Sequence, residues 1–187
     1  MSKKTRNYEG TRAAIRETAA RLFTENGIQA SSLADIAKAA ELSKGTLYYH
    51  YPAKEALVAD IAEDHLGRMT DEIFGWIDTL GEAQPASEAV AGLIDALFAD
   101  EDTMLLHFAL LSEALRGDEG LKKRFAAKGR EWAVMLEVGS LKMAEPGAKR
   151  FRSLSKHFFA LLDGFALHTL LAEEPDLSAL RRILTEG

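Results

Sequence analysis

An all-α fold is what this sequence predicts: an N-terminal three-helix unit followed by a helical C-terminal domain. Three observations carry it. Apolar residues recur at three- and four-residue spacing along most of the 187 residues. No stretch alternates with period two for long enough to specify a sheet strand. Prolines and glycines fall where helices should stop: Gly27, Pro52, the 80–85 stretch, Gly117 to Gly120, Pro146-Gly147 and Pro175. These breaks bound helices near 9–26, 33–40, 44–50, 54–79, 86–99, 102–116, 119–143, 149–172 and 177–185. The domain division is expected at 1–53 and 54–187.

The first segment places Ile15, Ala19, Leu22 and Phe23 on one face, and Gly27 suits a left-handed C-terminal cap. Ser32 is the expected N-cap of the second helix, with Asp35 three residues on making part of a capping box. That helix turns Leu33, Ile36, Ala37 and Ala40 inward. After the turn Glu41-Leu42, Ser43 is placed to cap a third, very short helix that Pro52 ends. Two short helices across a tight turn, braced by a longer one, make a helix-turn-helix unit. The basic leader, Lys3, Lys4 and Arg6, reads equally as an arm for an adjacent minor groove and as a solvated tail.

The third helix has a face that ordinary packing does not explain. At about 100° per residue, Leu47 and Tyr51 share one side and Leu47 points inward. Gly45 and Tyr49 then lie nearly opposite, with Thr46 and Tyr48 on the flanks and Lys44 and His50 at the edges. Glycine costs about 1 kcal/mol relative to alanine in a helix interior, and exposed tyrosines gain little there. The face makes sense against a partner such as duplex DNA. Glycine lets the backbone approach, Thr46 and Tyr49 suit base edges and the thymine methyl, and Lys44, Tyr48 and His50 suit phosphates. Ser32, with the start of the second helix, and Lys54, at the start of the fourth, add further phosphate contacts.

Beyond Pro52 the helical period continues from Lys54 to Trp76, with Gly67 and Gly75 lowering the intrinsic stability of that helix. Late in the chain, Phe151, Leu154, Phe158, Leu161 and Phe165 make one apolar face, and Phe159, Leu162, Leu167 and Leu170 make a second. A helix apolar around most of its circumference must be buried on two sides. One side closes the domain core and the other, assigned to the Phe151–Phe165 face, meets a second copy of the chain.

Charge divides the chain at the same boundary. Up to Lys54 there are nine Lys/Arg against five Asp/Glu, and after it fourteen against twenty-four. The overall net charge of −6 conceals a basic head on an acidic body, the asymmetry expected of a phosphate-binding module fused to a non-binding domain. All four tyrosines lie in the head, whereas eight of nine phenylalanines and both tryptophans lie in the body. There is no cysteine, which excludes disulfides and thiolate zinc sites. The N-terminus lacks the apolar stretch of a signal peptide, and 158–172 is too short and too polar to span a bilayer, so a cytoplasmic protein without membrane contact is expected.

The run Ser32-Leu-Ala-Asp-Ile-Ala-Lys-Ala-Ala-Glu-Leu-Ser-Lys-Gly-Thr-Leu-Tyr-Tyr-His-Tyr-Pro-Ala-Lys-Glu-Ala-Leu57 resembles the DNA-binding signature of TetR-family transcriptional regulators. Ala19-Ala-Arg-Leu-Phe-Thr-Glu-Asn-Gly27 fits the same family's first helix. Two positions depart from the pattern. Glu41 stands where the family often has glycine, so the turn is expected to need a slightly different backbone, and Tyr51 replaces a common phenylalanine, adding a hydroxyl that needs a partner or water. The resemblance implies a homodimer, with 119–143 and 149–172 as the paired late helices, and a repressor whose C-terminal domain binds ligand and dimerises. It also implies a palindromic operator and release by a small-molecule effector.

Candidate effector contacts are Met69, Trp76, Phe98, Met104, His107, Phe108, Trp132, Met135, Phe159 and His168, a set that favours an apolar or aromatic molecule. For any one of them alone, ordinary core packing is the simpler account. No nucleophile elbow, phosphate loop, metal motif or paired catalytic carboxylates occur, so neither an enzyme nor a cofactor is expected. The rival reading is a ligand-independent architectural DNA binder, which would not require so large an aromatic body.

Overall fold

The computed structural model describes residues 3–81, 84–98, 100–145, 147–171 and 177–186, with the side chains of 3–7, 177 and 178 left aside. The side chains of Lys3, Lys4 and Arg6, and the helix stops Pro146 and Pro175, therefore lie outside the described residues. The described residues form helices α1 (Lys3–Asn26), α2 (Leu33–Ala39), α3 (Lys44–His50), α4 (Lys54–Thr79) and α5 (Ala86–Leu97). They continue as α6 (Glu101–Leu115), α7 (Glu119–Gly139), α8 (Gly147–Leu154), α9 (Phe158–Leu170) and α10 (Leu177–Thr185).

Two expectations are corrected. The helical backbone of α1 begins at Lys3, so the basic leader is the first turns of a helix rather than an extended arm. The single helix expected over 149–172 is divided into α8 and α9 by a 3₁₀ turn, Ser155–His157. Ser155 is buried, and its hydroxyl donates back to the Arg152 carbonyl at 3.0 Å. Such a back-bond offers the carbonyl another partner and bends a helix.

The chain divides into two units, Met1–His65 with Leu105–Lys122, and Leu66–Met104 with Lys123–Gly187. In the first unit, Ile15, Ala19 and Phe23 of α1, Ile36 and Ala37 of α2, Leu47 of α3 and Leu57, Val58 and Ile61 of α4 are buried. The predicted punctuation is present: Gly27 takes a left-handed φ of 85°. Ser32 and Asp35 form a complete capping box, and Ser43 accepts the Thr46 N–H at 3.0 Å. Glu41 has φ 55°, so the turn keeps a left-handed backbone and bears the strain of a side chain there. Within this unit α6 packs on the head through a buried His65 Nε2–His107 Nδ1 contact of 3.0 Å and a Gln29–Glu113 hydrogen bond.

The second unit has its own core, in which Leu66, Met69, Ile73 and Trp76 of α4 join Val90, Leu93, Leu97, Trp132, Leu136, Phe151, Phe158 and Leu162. The indole N–H of Trp76 donates to the Ala89 carbonyl at 2.8 Å, and that of Trp132 to the Thr70 hydroxyl at 2.9 Å. Both polar handles are thus satisfied inside the core. Gly139 is required for close approach, since a Cβ there would stand 2.8 Å from the Trp76 ring.

Candidate nucleic-acid interface

Helix α3 is only seven residues long, and its position depends on what its two sides touch. Leu47 is fully buried, whereas Tyr48 is 49% and Tyr49 73% exposed. Lys44, Gly45 and Ser43 are exposed, and Thr46 and His50 are half-buried. A Cβ on Gly45 would meet nothing closer than the Ser43 hydroxyl at 3.8 Å. Packing within the chain therefore does not demand glycine at position 45. The hydroxyls of Ser43 and Thr46 lie 2.8 Å apart, so both are already engaged at the cap.

His50 is placed differently from the edge position expected of it. Its ring lies 4.5 Å from that of Tyr8 on α1 and 5.3 Å from that of Tyr49. Burial, and then the charge of Arg12, hold its pKa below the ordinary histidine value, against a smaller opposing effect of Glu9. At neutral pH it therefore presents a neutral aromatic edge rather than a cation. Tyr8 also meets Tyr49 edge-on at 6.1 Å, which makes it a member of the face that helical periodicity in α3 alone could not supply. The signal available for it was the concentration of tyrosine in the head.

Lys54 also turns away from the simplest expectation. Its ammonium donates to the carbonyls of Ile28 at 3.0 Å and Gln29 at 3.3 Å, fastening the α1–α2 turn to the start of α4. Ser31 locks the same turn from the other direction, donating to the Gly27 carbonyl at 2.9 Å. Ser32 remains exposed, with its hydroxyl in the capping box. The Asp35 carboxyl there is held below the usual range, mainly by the hydrogen bond from the Ser32 side chain.

Behind α3 lies a polar cluster that the spacing of residues along the chain did not reveal. Tyr51 caps the helix, its N–H donating to the Leu47 carbonyl at 2.8 Å, and its ring is 2% exposed. Its hydroxyl donates to Asp60 Oδ2 and accepts from Arg12 Nε at 3.2 Å. The same carboxylate oxygen takes Arg12 Nη2 at 2.9 Å and Arg16 Nη1 at 3.3 Å. Burial pushes the Asp60 carboxyl upward, but hydrogen bonds from Tyr51 and Arg12 outweigh it and hold the group below the usual carboxylate range. The Tyr51 phenol is raised, chiefly by burial and then by its bond to Asp60.

The ten candidate effector contacts are distributed between the two units. Met69, Trp76 and Trp132 are buried in the core of the second, and Phe98, Met135 and Phe159 are half-buried against it. Trp132 and Phe159 stack at 4.7 Å. Met104 is half-buried and His168 exposed, while His107 and Phe108 belong to the first unit. An open hollow of about 400 Å³ in the second unit, lined by Pro85, Ser87, Glu145, Gly147 and Thr185 among others, contains none of the ten.

The apolar face expected to meet a second copy lies largely against the core of its own unit. Phe151 and Phe158 are fully buried, with ring centroids 5.7 Å apart and Phe151 5.9 Å from Trp76. Leu154, Leu161 and Phe165 are half-buried against the same core. These side chains pack on the unit's own interior. Exposed apolar residues lie instead at Val134, Val138 and Leu141, and on α9 and just after it at Leu167 and Leu171. Among the described residues no helix is long and apolar enough to cross a membrane, and no group of three or more His, Cys, Asp or Glu could hold a metal ion.

Comparison with known proteins places this geometry. The family described as bacterial regulatory proteins, tetR family, matches residues 15–61. The transcriptional repressor KstR2 of Rhodococcus jostii is 38% identical over 71 residues, 38% of this chain and 33% of its own. The transcriptional regulator UidR of Escherichia coli K12 is 41% identical over 69 residues, 35% of each chain. These matches span about a third of the relatives' length. The fold likeness is wider. A TetR-family member from Streptomyces coelicolor A3 superposes with a TM-score of 0.74 at 21% identity, covering 93% of this chain and 95% of that one. The multidrug binding protein EbrR, complexed with imidazole, gives 0.65 at 24% identity with 92% of each covered.

Proposed function

We propose, for a chain whose residues 15–61 belong to the tetR family of bacterial regulatory proteins, that it is a cytoplasmic transcriptional regulator reading DNA through the outer face of α3. The observation that carries this is Gly45: an exposed helical glycine with open space where its Cβ would be, beside exposed Tyr48 and Tyr49. No neighbour among the described residues requires it, whereas a close-approaching duplex would. Thr46 and Tyr49 face base edges, and Lys44, Tyr48 and the turn around Ser32 face the backbone. His50 contributes an aromatic edge, and Lys54 acts chiefly by holding the turn at Ile28 in place.

Gly45→Ala tests the reading through effects of opposite sign. Stability in urea should rise by up to about 1 kcal/mol, while affinity for a duplex enriched from a random pool should fall about tenfold. A variant that is more stable and binds equally well would remove α3 from the interface.

The regulator acts as a homodimer on a palindromic operator with half-sites about one turn apart. The exposed apolar residues Val134 and Val138 of α7, Leu141 in the turn after it and Leu167 of α9, together with Ala160 and Gly164, support a helical seam there. Val138→Asp should give a monomer in sedimentation with an unchanged helical spectrum, and a dimer that persists would move the seam elsewhere. A small apolar or aromatic effector acts on the second unit, where Trp76 and Trp132 lie, and relieves repression through α4, which contributes residues to both units. Footprinting separates this from an architectural role: a regulator protects one or a few palindromes, an architectural protein many sites.

A further inference from the structure

We infer that the Tyr51 hydroxyl and the Asp60 carboxylate set the pose of the recognition helix α3, and so the selectivity of the interface, an inference that rests on the DNA-reading role proposed above. A seven-residue helix has few internal hydrogen bonds to hold its direction. Leu47 anchors its middle and the His50 and Tyr49 rings meet Tyr8 of α1, but apolar burial and ring contact constrain the roll of the helix only weakly. Tyr51 supplies a second point, one residue past the last turn. There the attachment is directional: its hydroxyl is fixed between Arg12 Nε and Asp60 Oδ2. Arg12 also lies 5.2 Å over the Tyr51 ring. Asp60 in turn is held by Arg12 and Arg16 from α1. Three helices thus converge on a single carboxylate oxygen, and the roll of Gly45, Tyr48 and Tyr49 is defined relative to α1 and α4. Tyr51 and Asp60 are positioning residues on the opposite side of α3 from the presented face.

Tyr51→Phe keeps the buried ring and removes only the directional bond, and Asp60→Asn removes the charge that organises it. Each protein is measured, fully folded, against a duplex enriched from a random pool by the wild type and against an unrelated duplex of equal length. Each variant should bind the enriched duplex about tenfold more weakly, equivalent to about 1.4 kcal/mol, with binding to the unrelated duplex changed less than twofold. The double variant should be no worse than either single one, since both break the same attachment. A merely structural role would lower the melting temperature and leave the ratio of the two affinities where it was. An unchanged ratio for Tyr51→Phe, or strictly additive losses in the double variant, would overturn the inference alone. A wild type that enriches no duplex would overturn the DNA-reading role and this inference with it.

Discussion

Trp132→Ala is expected to destabilise the protein by about 3–5 kcal/mol, measured as a shift of the urea midpoint with the slope unchanged. The side chain is 2% exposed, stacks on Phe159 at 4.7 Å and donates to the Thr70 hydroxyl at 2.9 Å. Deleting it leaves an indole-sized void among α4, α7 and α9, and takes from Thr70 the donor it accepts. Trp132→Phe should retain most of the packing and lose about 1–2 kcal/mol for the unmet hydrogen bond. The result also bears on the effector role proposed for this unit. A cost of several kcal/mol means that Trp132 fills the core, which the proposed effector would have to open. A cost below about 1 kcal/mol would mean that the indole lines a space already present.

Leu47→Ala should cost about 2–5 kcal/mol and unfold the head at moderate temperature, because Leu47 is the only buried residue of α3. Two positions on, the effect should reverse in kind. Tyr49 is 73% exposed, so Tyr49→Ala should alter stability by no more than about 0.5 kcal/mol. Its affinity for an enriched duplex should nonetheless fall at least tenfold, with little change toward an unrelated one. The pair separates the inward and outward duties of one short helix in a single set of melts and titrations. Equal loss of specific and non-specific binding in Tyr49→Ala would remove its base-reading role.

What the chain disclosed in advance was mainly local. Capping serines, the breaks at Gly27 and Pro52 and the helical period act over three or four residues, and the bounds of α2, α3 and α4 agree with them to within a residue. What stayed hidden acts at a distance or by competition. Tyr51 needed a partner for its hydroxyl, but nothing in the spacing identified Asp60 nine residues on or Arg12 thirty-nine residues back. His65 and His107, forty-two apart, are likewise joined only by the fold. At Ser155–His157 a 3₁₀ turn interrupts an apolar period that runs on through it in the sequence, and the hydroxyl of Ser155 bonds back to the Arg152 carbonyl there. At Glu41 the left-handed φ of 55° could not be read from the residue type, since the turn's hydrogen bonds, Glu41 N–H to the Lys38 carbonyl and Leu42 N–H to that of Ala37, close around it.

The engagement of the head's cations bears on its response to ions. Of the nine Lys/Arg up to Lys54, Arg12 and Arg16 are committed to Asp60, Arg21 to Glu25 and Lys54 to backbone carbonyls. Lys38 and Lys44 are the exposed cations on α2 and α3. Each phosphate neutralised releases condensed counterions and steepens the logarithmic dependence of affinity on salt by about 0.9. Four of the nine are engaged within the head, so on the proposed DNA-reading role phosphate contacts fall to the other five, and the salt dependence should be shallower than nine free cations would give. On that role, discrimination rests on the short-range contacts proposed for the face of Gly45, Thr46 and Tyr49, which ionic strength screens least.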